Sequence, residues 1–390
     1  MTSKIFYCIL IHYDEIAVKL GNRNWFERIL IQNIRKQLKG LSYSSIQKFS
    51  ARIFINEIDY QTADEYLERL KNVMGLSSVH LMEKVPADIN IIEKKCIESL
   101  TPYKDKFNTF KILTKRQNKS FQKTSPELNA IIGDSVRKAL NKTVKLKNPD
   151  VEFRIEIIED KAFIGYQLEK GYGGLPVGCS ERAISLLSSG IDSPVASFEM
   201  LKRGVQLSYV HFHSFPVTGS ESIENVEKIL KVLSKHQNSA NLFLVPFSDV
   251  QKHIMKQCPQ KYWIIIFRRA MVMFANYIAY KENAKALVTG ENVGQVASQT
   301  ISNIHVINKV STLPILRPLI GYNKKEIINL ATMINTYDIS ILPYDDCCSF
   351  FVPKHPETKA KLEIIEEIEK DITLDFDNLY NSTDKKIIRN

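Results

Sequence analysis

From residue 183 onward, short apolar segments alternate with longer helical ones, and this alternation constrains the fold more than any other feature. Strands are predicted at 183–188, 205–212, 241–246 and 285–289, and helices at 194–203, 220–236, 248–280 and 323–336. Strands that alternate with helices predict an α/β fold with a doubly wound parallel sheet. Such sheets bind ligands at the carboxyl ends of their strands, where loops meet helix N-termini.

Two smaller units are predicted before this sheet. Residues 1–58 and 59–168 each mix helix-like and strand-like segments, which is typical of small α+β domains. The segment 169–178 holds four glycines and a proline and is expected to be a linker. The α/β domain is then expected over 179–372, and residues 373–390 are expected to form a charged tail with a frayed end.

The charge of the chain favours a polyanionic partner. The net charge is +10, and the segment 101–150 alone carries 12 basic and 4 acidic residues. A solvated basic surface explains the charge alone equally well. The six cysteines show neither disulfide-framework nor zinc spacing, and no signal peptide or apolar run of the ~18–20 residues that span a bilayer is present. We therefore expect a reducing, cytoplasmic protein without a membrane segment.

The loop after the first strand of the α/β domain has the composition of a phosphate site. It reads Leu-Ser-Ser-Gly-Ile-Asp-Ser-Pro over 187–194. Ser193 is a good helix N-cap and Pro194 suits a first helical position, so the loop delivers backbone N–H groups to a helix N-terminus, where anions bind. Asp192 would repel a phosphate and is therefore a candidate ligand for a Mg²⁺ that bridges phosphates. The alternative is an ordinary strand–turn–helix junction.

This loop resembles the Ser-Gly-Gly-x-Asp-Ser loop of the PP-loop ATP pyrophosphatases. Enzymes of that family cleave ATP between the α and β phosphates and attach AMP to a substrate oxygen. Ser189 stands where the family has a glycine. A serine at this position restricts the backbone and adds a hydroxyl group near the phosphates.

Further motifs narrow the resemblance. They are Tyr-Asp-Glu-Ile at 13–16, Lys-Leu-Gly-Asn-Arg at 19–23, Thr-Gly-Glu-Asn-Val-Gly-Gln-Val-Ala-Ser-Gln-Thr at 289–300, Arg-Pro-Leu-Ile at 317–320 and Pro-Tyr-Asp-Asp-Cys-Cys at 343–348. In this order they resemble bacterial tRNA 4-thiouridine synthetases over essentially the whole chain. The resemblance implies a ferredoxin-like domain over 1–58 and a THUMP RNA-binding domain over 59–168, followed by the PP-loop ATP pyrophosphatase domain.

The resemblance also implies an activity. O4 of uridine 8 in tRNA is adenylated with ATP. Persulfide sulfur or sulfide then attacks C4, AMP is released, and 4-thiouridine remains in the tRNA. The implied cofactors are ATP and Mg²⁺, and the implied partners are tRNA and a cysteine desulfurase. A sulfur-carrier protein of thiamine thiazole synthesis and a homodimer are open possibilities. Some relatives carry a C-terminal rhodanese domain, for which a chain ending at Asn390 is too short, so the route of the sulfur stays open.

The resemblance implies site residues, carried over position by position. The nucleotide-binding set follows the strand ends and the 289–300 motif: Leu186, Leu187, Ser188, Ser189, Gly190, Asp192, Ser193, His211, Phe212, Arg268, Gly290 and Gln299. The catalytic set is Asp192, Lys324, Cys347 and Cys348. A local structural role is the alternative for each. For the cysteines, we favour a catalytic disulfide or persulfide over an iron–sulfur cluster that would use Cys258 as well.

RNA contacts are predicted in the basic front part. They are Lys115, Arg116, Lys119 and Lys123, with Lys19 and Arg23 extending the track. Phe121 either stacks on a base or belongs to the core, and we favour the core. Two other functions stay open: a tRNA-binding protein whose nucleotide site has decayed, suggested by Ser189, and another PP-loop nucleotide-dependent ligase.

Overall fold

A computed structural model describes residues 7–13, 15–117, 119–343 and 355–389. The chain divides into two compact units, Met1–Gly174 and Leu175–Asn390, and each is described by itself. Across the described ranges, no helix combines the length and the apolar character that crossing a membrane requires.

The first unit is built on one mixed sheet. Its strands are β1 (Tyr7–His12), β2 (Ser45–Phe49), β3 (Arg52–Ile58), β4 (Ser78–Pro86), β5 (Thr109–Arg116), β6 (Thr143–Val144), β7 (Val151–Ile158) and β8 (Lys161–Lys170), in the order β2-β3-β1-β4-β8-β7-β5-β6. Its helices are α1 (Arg23–Gln37), α2 (Ala63–Leu70), α3 (Ile89–Leu100) and α4 (Ser125–Leu140). Because β1 pairs with both β3 and β4, this sheet continues across the predicted boundary between residues 58 and 59.

Local sequence signals explain where the helices of the first unit begin. Asp88 accepts hydrogen bonds from two N–H groups of the first turn of α3, and Thr124 and Glu127 form a capping box at the start of α4. Asn141 ends α4 in a left-handed conformation, which asparagine tolerates. Both helices bury apolar side chains against the sheet, and Phe121 packs against this core as predicted.

The second unit contains the predicted parallel sheet. Its strands are β9 (Arg182–Leu186), β10 (Gln206–His213), β11 (Ser239–Pro246), β12 (Ala286–Val288), β13 (Ile315–Leu316) and β14 (Asp384–Arg389), in the order β13-β12-β9-β10-β11-β14. Its helices are α5 (Asp192–Lys202), α6 (Glu221–Ser234), α7 (Ser248–Gln257), α8 (Trp263–Lys281), α9 (Ile301–Asn308), α10 (Lys324–Met333), α11 (Tyr337–Ser340), α12 (Leu362–Glu369) and α13 (Phe376–Asn381). The pairs from β13 to β11 are parallel, which confirms the doubly wound α/β class.

The C-terminal segment differs from the expected frayed tail. Residues Asp384–Arg389 form β14, which pairs antiparallel with β11 at the edge of the sheet. The segment carries charges but also Ile387 and Ile388, and pairing with β11 satisfies its backbone groups. Its lysines suit an edge strand, because charged side chains discourage pairing with further chains.

Candidate active site

A cavity of about 280 Å³ opens at the carboxyl ends of β9, β10 and β12. Parallel strands that end together place their loops at one edge of the sheet, where ligands bind. Most of the predicted nucleotide residues line this cavity, namely Leu186, Leu187, Ser188, Asp192, Ser193, His211, Phe212, Arg268, Gly290 and Gln299. Ser189 and Gly190 belong to the same loop but are not among the lining residues.

Serine side chains brace the loop between β9 and α5. The Ser188 N–H donates to Ser193 Oγ at 2.9 Å, and Ser193 Oγ donates to the Ser188 carbonyl at 3.1 Å. The prediction of Ser193 as N-cap is wrong, because α5 begins at Asp192, two residues before the predicted start at 194, and the Ser193 hydroxyl bonds back into the loop. Within the described residues, the N–H groups of Ser189 and Ile191 have no protein acceptor, so they are available to an anion.

Ser189 lies inside this loop without distorting it. Its side chain is 1% exposed, and its backbone is not in the left-handed region. The glycine of the family pattern is therefore not needed for backbone freedom here. The Ser189 hydroxyl has no hydrogen-bond partner among the described residues.

Gly290 is required by close packing. A Cβ atom at this position would lie 2.7 Å from the backbone nitrogen of Ser193 and 2.8 Å from the carbonyl carbon of Asp192. The segment after β12 therefore touches the backbone at the start of α5 directly. This contact fixes the 289–300 motif against the loop between β9 and α5, residues 187–191, which we call the phosphate loop.

The carboxylate of Asp192 is held from two sides. Lys324 Nζ donates to Oδ1 at 2.6 Å, and Gln295 Nε2 donates to Oδ2 at 2.8 Å. Lys324 is the first residue of α10, whose start is set by a capping box between Asn323 and Glu326. The structure thus brings together the two catalytic candidates Asp192 and Lys324.

Two arginines meet one buried carboxylate beside the cavity. Glu291 is 3% exposed, and its Oε1 lies 3.1 Å from Arg268 Nη2 while its Oε2 lies 2.6 Å from Arg317 Nε. Burial alone would raise the pKa of Glu291, but the two guanidinium groups outweigh it and lower that pKa. Arg268 also donates to Ser298 Oγ at 2.9 Å, so its guanidinium is fixed at the cavity wall.

The neighbouring arginine has a different role. Arg269 is not among the residues that line the cavity. Its Nε and Nη2 atoms donate to the two carboxylate oxygens of Glu369, at 2.6 and 2.5 Å. It also donates to the carbonyl of Val306. Arg269 therefore fastens α12 to α8, whereas Arg268 is a cavity residue.

His211 supports the phosphate loop from the next strand. It is 2% exposed, and burial lowers its pKa to about 4, so the imidazole is neutral near pH 7. Nδ1 lies 2.9 Å from the Leu187 carbonyl oxygen and must carry the proton to donate to it. The ring of the adjacent Phe212 packs edge-to-face on Phe247 in the core.

The functional residues that sequence reasoning missed are Glu291, Gln295, Ser298 and Arg317. All four lie in the 289–300 and 317–320 motifs that carried the resemblance. The concentration of polar residues in these motifs was the signal that could have indicated them. Their partners, however, are distant along the chain, and no local pattern specifies such pairs.

The catalytic candidates Cys347 and Cys348 lie outside the described residues. Burial raises the pKa of Cys8 and Cys258 to about 12 and also raises the pKa of Cys96, so these three are thiols near pH 7. No three His, Cys, Asp or Glu side chains form a metal-binding group in the part of the chain that the structure describes.

The predicted RNA contacts of the first unit fall into two groups. Lys115, Lys119 and Lys123 are exposed, and in the described ranges none of them forms an ion pair. Arg116 instead donates to the carbonyl of Phe121 at 3.1 Å and closes the loop that follows β5. Exposed cations are the better phosphate contacts, because no protein carboxylate competes for them.

The two cations near the N-terminus are engaged within the protein. Arg23 donates to Glu27 at 2.8 Å and to the hydroxyl of Tyr13 at 2.8 Å. Lys19 lies 4.0 Å from Glu15 and over the ring of Phe26. A role of Lys19 and Arg23 in RNA binding stays a prediction.

Comparisons with known proteins agree with this architecture. The family described as "Thiamine biosynthesis protein (ThiI)" matches residues 178–374, the ThiI ferredoxin-like domain matches 8–79 and the THUMP domain matches 86–166. A probable tRNA sulfurtransferase of Caldanaerobacter subterraneus subsp. tengcongensis is 42% identical over 97% of this chain and 98% of its own length. One from Thermoanaerobacter sp. is 44% identical over 93% of this chain and 94% of its own length.

A solved structure agrees over the same length. The crystal structure of a 4-thiouridine synthetase–RNA complex with bound ATP is similar with a TM-score of 0.87 and 35% identity. The match covers 98% of this chain and 100% of that one. The predicted ferredoxin-like, THUMP and PP-loop folds are confirmed. From its domains, its relatives and its fold, the chain belongs to the tRNA sulfurtransferase family and is a transferase enzyme.

Proposed function

We propose that this enzyme uses ATP to adenylate O4 of uridine 8 in tRNA and then replaces that oxygen with persulfide-derived sulfur, which gives 4-thiouridine. The observation that carries the proposal is the cavity at the strand ends, where the phosphate loop, Arg268 and the Asp192–Lys324 pair converge. The related 4-thiouridine synthetase that binds ATP and RNA supports the same substrates.

The first step is a transfer at the α-phosphorus of ATP. O4 of the uridine attacks the phosphorus, the bond to the β-phosphate oxygen breaks, and pyrophosphate leaves. The N–H groups of Ser189 and Ile191 and the helix dipole of α5 would hold phosphate oxygens at the loop. Lys324 and Arg268 would balance the negative charge that builds up on the transferring phosphate.

Asp192 fits the one-carboxylate mode of magnesium binding. Mg²⁺ in nucleotide sites keeps several waters and is held by one or two carboxylates together with the phosphates. Both carboxylates have protein partners, but the Asp192 side chain is 20% exposed whereas that of Glu291 is 3% exposed. Asp192 is therefore the residue that would hold the ion, which would supply charge neutralisation on the phosphates.

The second step is proposed for the Cys347–Cys348 segment. The outer sulfur of a protein persulfide attacks C4 of the activated uridine, the C4–O4 bond breaks, and AMP leaves with the oxygen. The thiolate of a second cysteine then attacks the inner persulfide sulfur, the S–S bond breaks, and 4-thiouridine is freed while the two cysteines form a disulfide. If sulfide is the attacking species, the same thiolate attack on the persulfide releases it beforehand, and in either case a thiol reductant would return the disulfide to two thiols. Cys8, Cys96 and Cys258 are buried thiols, which leaves them poorly suited to carry a reactive persulfide. A cysteine desulfurase would supply the sulfur.

The proposed partners follow from the same reaction. tRNA would bind the THUMP-containing unit through the exposed cations Lys115, Lys119 and Lys123. Several further points stay proposals. They are a cytoplasmic location, a homodimer, a sulfur-carrier protein of thiazole synthesis as partner, and the domain boundaries 1–58, 59–168, 169–178 and 179–372. A role in thiamine synthesis is consistent with the name of the matching family.

A pyrophosphate-release assay tests the adenylation step. The protein is mixed with ATP, magnesium and tRNA that lacks 4-thiouridine, and pyrophosphate and AMP are measured. The proposal predicts release that requires tRNA and is lost in Asp192→Asn. Intact tRNA binding without any release would instead establish a tRNA-binding protein with a decayed nucleotide site.

The sulfur step needs its own variants. Cys347→Ser and Cys348→Ser are compared with Cys258→Ser as a matched control. At least one of the first two should abolish 4-thiouridine formation while pyrophosphate release persists. Full thiolation activity in both would refute the proposed sulfur chemistry.

A further inference from the structure

Gln295 contacts the carboxylate of Asp192, which lines the cavity, and its sequence motif does not explain this contact. Its Nε2 donates to Asp192 Oδ2 at 2.8 Å, while Lys324 Nζ donates to Oδ1 at 2.6 Å. A carboxylate held at both oxygens keeps its orientation as long as either bond remains. The two donors differ in charge, because Gln295 offers a neutral amide and Lys324 an ammonium group.

The backbone around Gln295 is fixed on both sides. Gly294 adopts a left-handed φ of 78°, and its N–H donates to the Gln299 carbonyl at 2.9 Å. The Val293 N–H donates to the Ile320 carbonyl at 3.2 Å, on the segment that leads to α10. The turn therefore ties Gln295 both to the cavity lining and to the segment that carries Lys324.

Electrostatics distinguishes the two donors when a nucleotide enters. A triphosphate at the loop brings several negative charges close to Asp192, and an ammonium group moves toward the larger charge. The Lys324 side chain is 45% exposed, so it has room to move, while that of Asp192 is 20% exposed. The neutral amide of Gln295 gains much less from a phosphate and keeps its bond to Asp192.

We propose that Gln295 is a positioning residue, which holds Asp192 in place while Lys324 passes from Asp192 to a phosphate oxygen of the bound nucleoside triphosphate. In the nucleotide-free enzyme, Lys324 is then paired with Asp192. Gln295 acts only through this pair. This inference rests on the proposed function, because it concerns the adenylation step.

A double-mutant cycle tests the inference. Gln295→Leu keeps the approximate size but removes the amide, and Lys324→Met removes the ammonium. Gln295→Leu should lower kcat for tRNA-dependent pyrophosphate release about 10-fold, with KM for ATP changed less than about 2-fold. The double variant should be no slower than Lys324→Met alone, because residues that act as one unit are not additive.

Controls separate positioning from loss of folding. Gln260→Leu alters an exposed glutamine of the same unit and should leave kcat and KM unchanged. Thermal unfolding and the calorimetric Kd for ATP are measured for every variant. Gln295→Leu should unfold at the same temperature as the native protein, and its Kd for ATP should lie within about 2-fold of the native value.

Several outcomes would overturn the inference. One is an unchanged kcat in Gln295→Leu, and another is a double variant whose loss equals the product of the two single losses. A native protein that releases no pyrophosphate overturns it together with the adenylation step. Pyrophosphate release without 4-thiouridine refutes only the proposed sulfur transfer.

Discussion

At the scale of single residues, Ser189 shows how a departure from a family pattern is accommodated. The backbone of Ser189 does not need the left-handed conformation that glycine favours, so the substitution adds no backbone strain. It does bury a hydroxyl group without a partner among the described residues. A buried polar group left unpaired costs about 1–3 kcal/mol.

Ser189→Ala therefore has two expected effects. The nucleotide-free protein should gain about 1 kcal/mol in free energy of unfolding, because the unpaired hydroxyl is removed. The Kd for ATP should stay unchanged, because the Ser189 side chain is buried and does not line the cavity. Urea denaturation and calorimetry measure the two quantities.

Ser185 provides the matched control for Ser189. Its hydroxyl is buried but bonded to that of Ser197 at 2.8 Å. Ser185→Ala should therefore lower stability and leave ATP affinity unchanged. A lower free energy of unfolding in Ser189→Ala would contradict this account of the unpaired hydroxyl, and a raised Kd for ATP would contradict its separation from the cavity.

At the scale of elements, the sequence predicts the sheet and the position of its ligand site well. The predicted strand ends at 188, 212 and 289 lie within two residues of the observed ends of β9, β10 and β12. Apolar strands next to glycine and serine loops are local signals, and parallel strands bring their carboxyl ends together.

Other features of the site could not be predicted from local patterns. The Glu291–Arg317 and Asp192–Gln295 contacts join segments distant along the chain, and they depend on how the loops after β9, β12 and β13 pack. The N-cap of α5 was misplaced because the Ser193 hydroxyl has a competing acceptor in the loop. The strand β14 was missed because its charged residues resemble a solvated tail.

Close packing of two elements makes Gly290 a sensitive position. Gly290→Ala would push its methyl group into the backbone at the start of α5, so the 289–300 segment and the phosphate loop must move apart. We expect a loss of about 1–3 kcal/mol in free energy of unfolding, as for other overpacked sites, and a strongly raised KM for ATP. Thermal unfolding and ATP kinetics measure both.

Gly321→Ala is the control for this prediction. A Cβ atom at Gly321 has no heavy atom within 4 Å, and its φ is not left-handed. That variant should unfold and bind ATP like the native protein. Equal behaviour of the two alanine variants would contradict a packing role for Gly290.

At the scale of the whole molecule, the deciding quantity is the positive charge of the first unit that is free to contact RNA. Among the described residues, three basic residues of the segment 101–150 form ion pairs, namely Lys111 with Glu152 and both Arg137 and Lys138 with Asp134. The exposed cations after β5 are therefore a larger share of the charge available to RNA than the composition suggests.

Salt dependence tests these exposed cations. Replacing Lys115, Lys119 and Lys123 together by alanine should weaken tRNA binding and lower the slope of log K against log[salt] by about 2–3, since each phosphate contact contributes ~0.7–0.9. Lys138→Ala, which removes a paired lysine, should leave the slope unchanged, whereas loss of one phosphate contact would lower it by ~0.7–0.9. A triple variant with the native slope would place the RNA elsewhere.

Buried titrating groups predict acid sensitivity of both units. Burial lowers the pKa of His80 in the first unit to about 3 and that of His211 in the second to about 4, below the ordinary value near 6.5. Unfolded chains therefore bind protons between pH 6.5 and 4 that the native histidines do not. The free energy of unfolding should fall with pH in this window by at most about 1.4 kcal/mol per pH unit for each histidine.

Carboxylates extend this loss to lower pH. Burial alone would raise the pKa of Glu156, but His12 and Arg52 outweigh burial and lower it to about 2. Its contribution is present above the unfolded pKa near 4.5 and is lost as pH falls toward 2. Urea denaturation between pH 7 and 4 checks the histidine window, in which His80→Gln should have a shallower slope and a flat native profile would contradict the account.

The 4-thiouridine content of tRNA in cells that lack this gene tests the central claim most directly. Nucleoside analysis should find 4-thiouridine absent from the tRNA of these cells, restored by the native gene and not restored by Asp192→Asn expressed at the same level. Normal 4-thiouridine content in the cells without the gene, or full restoration by Asp192→Asn, would contradict the assignment of this cavity to tRNA thiolation.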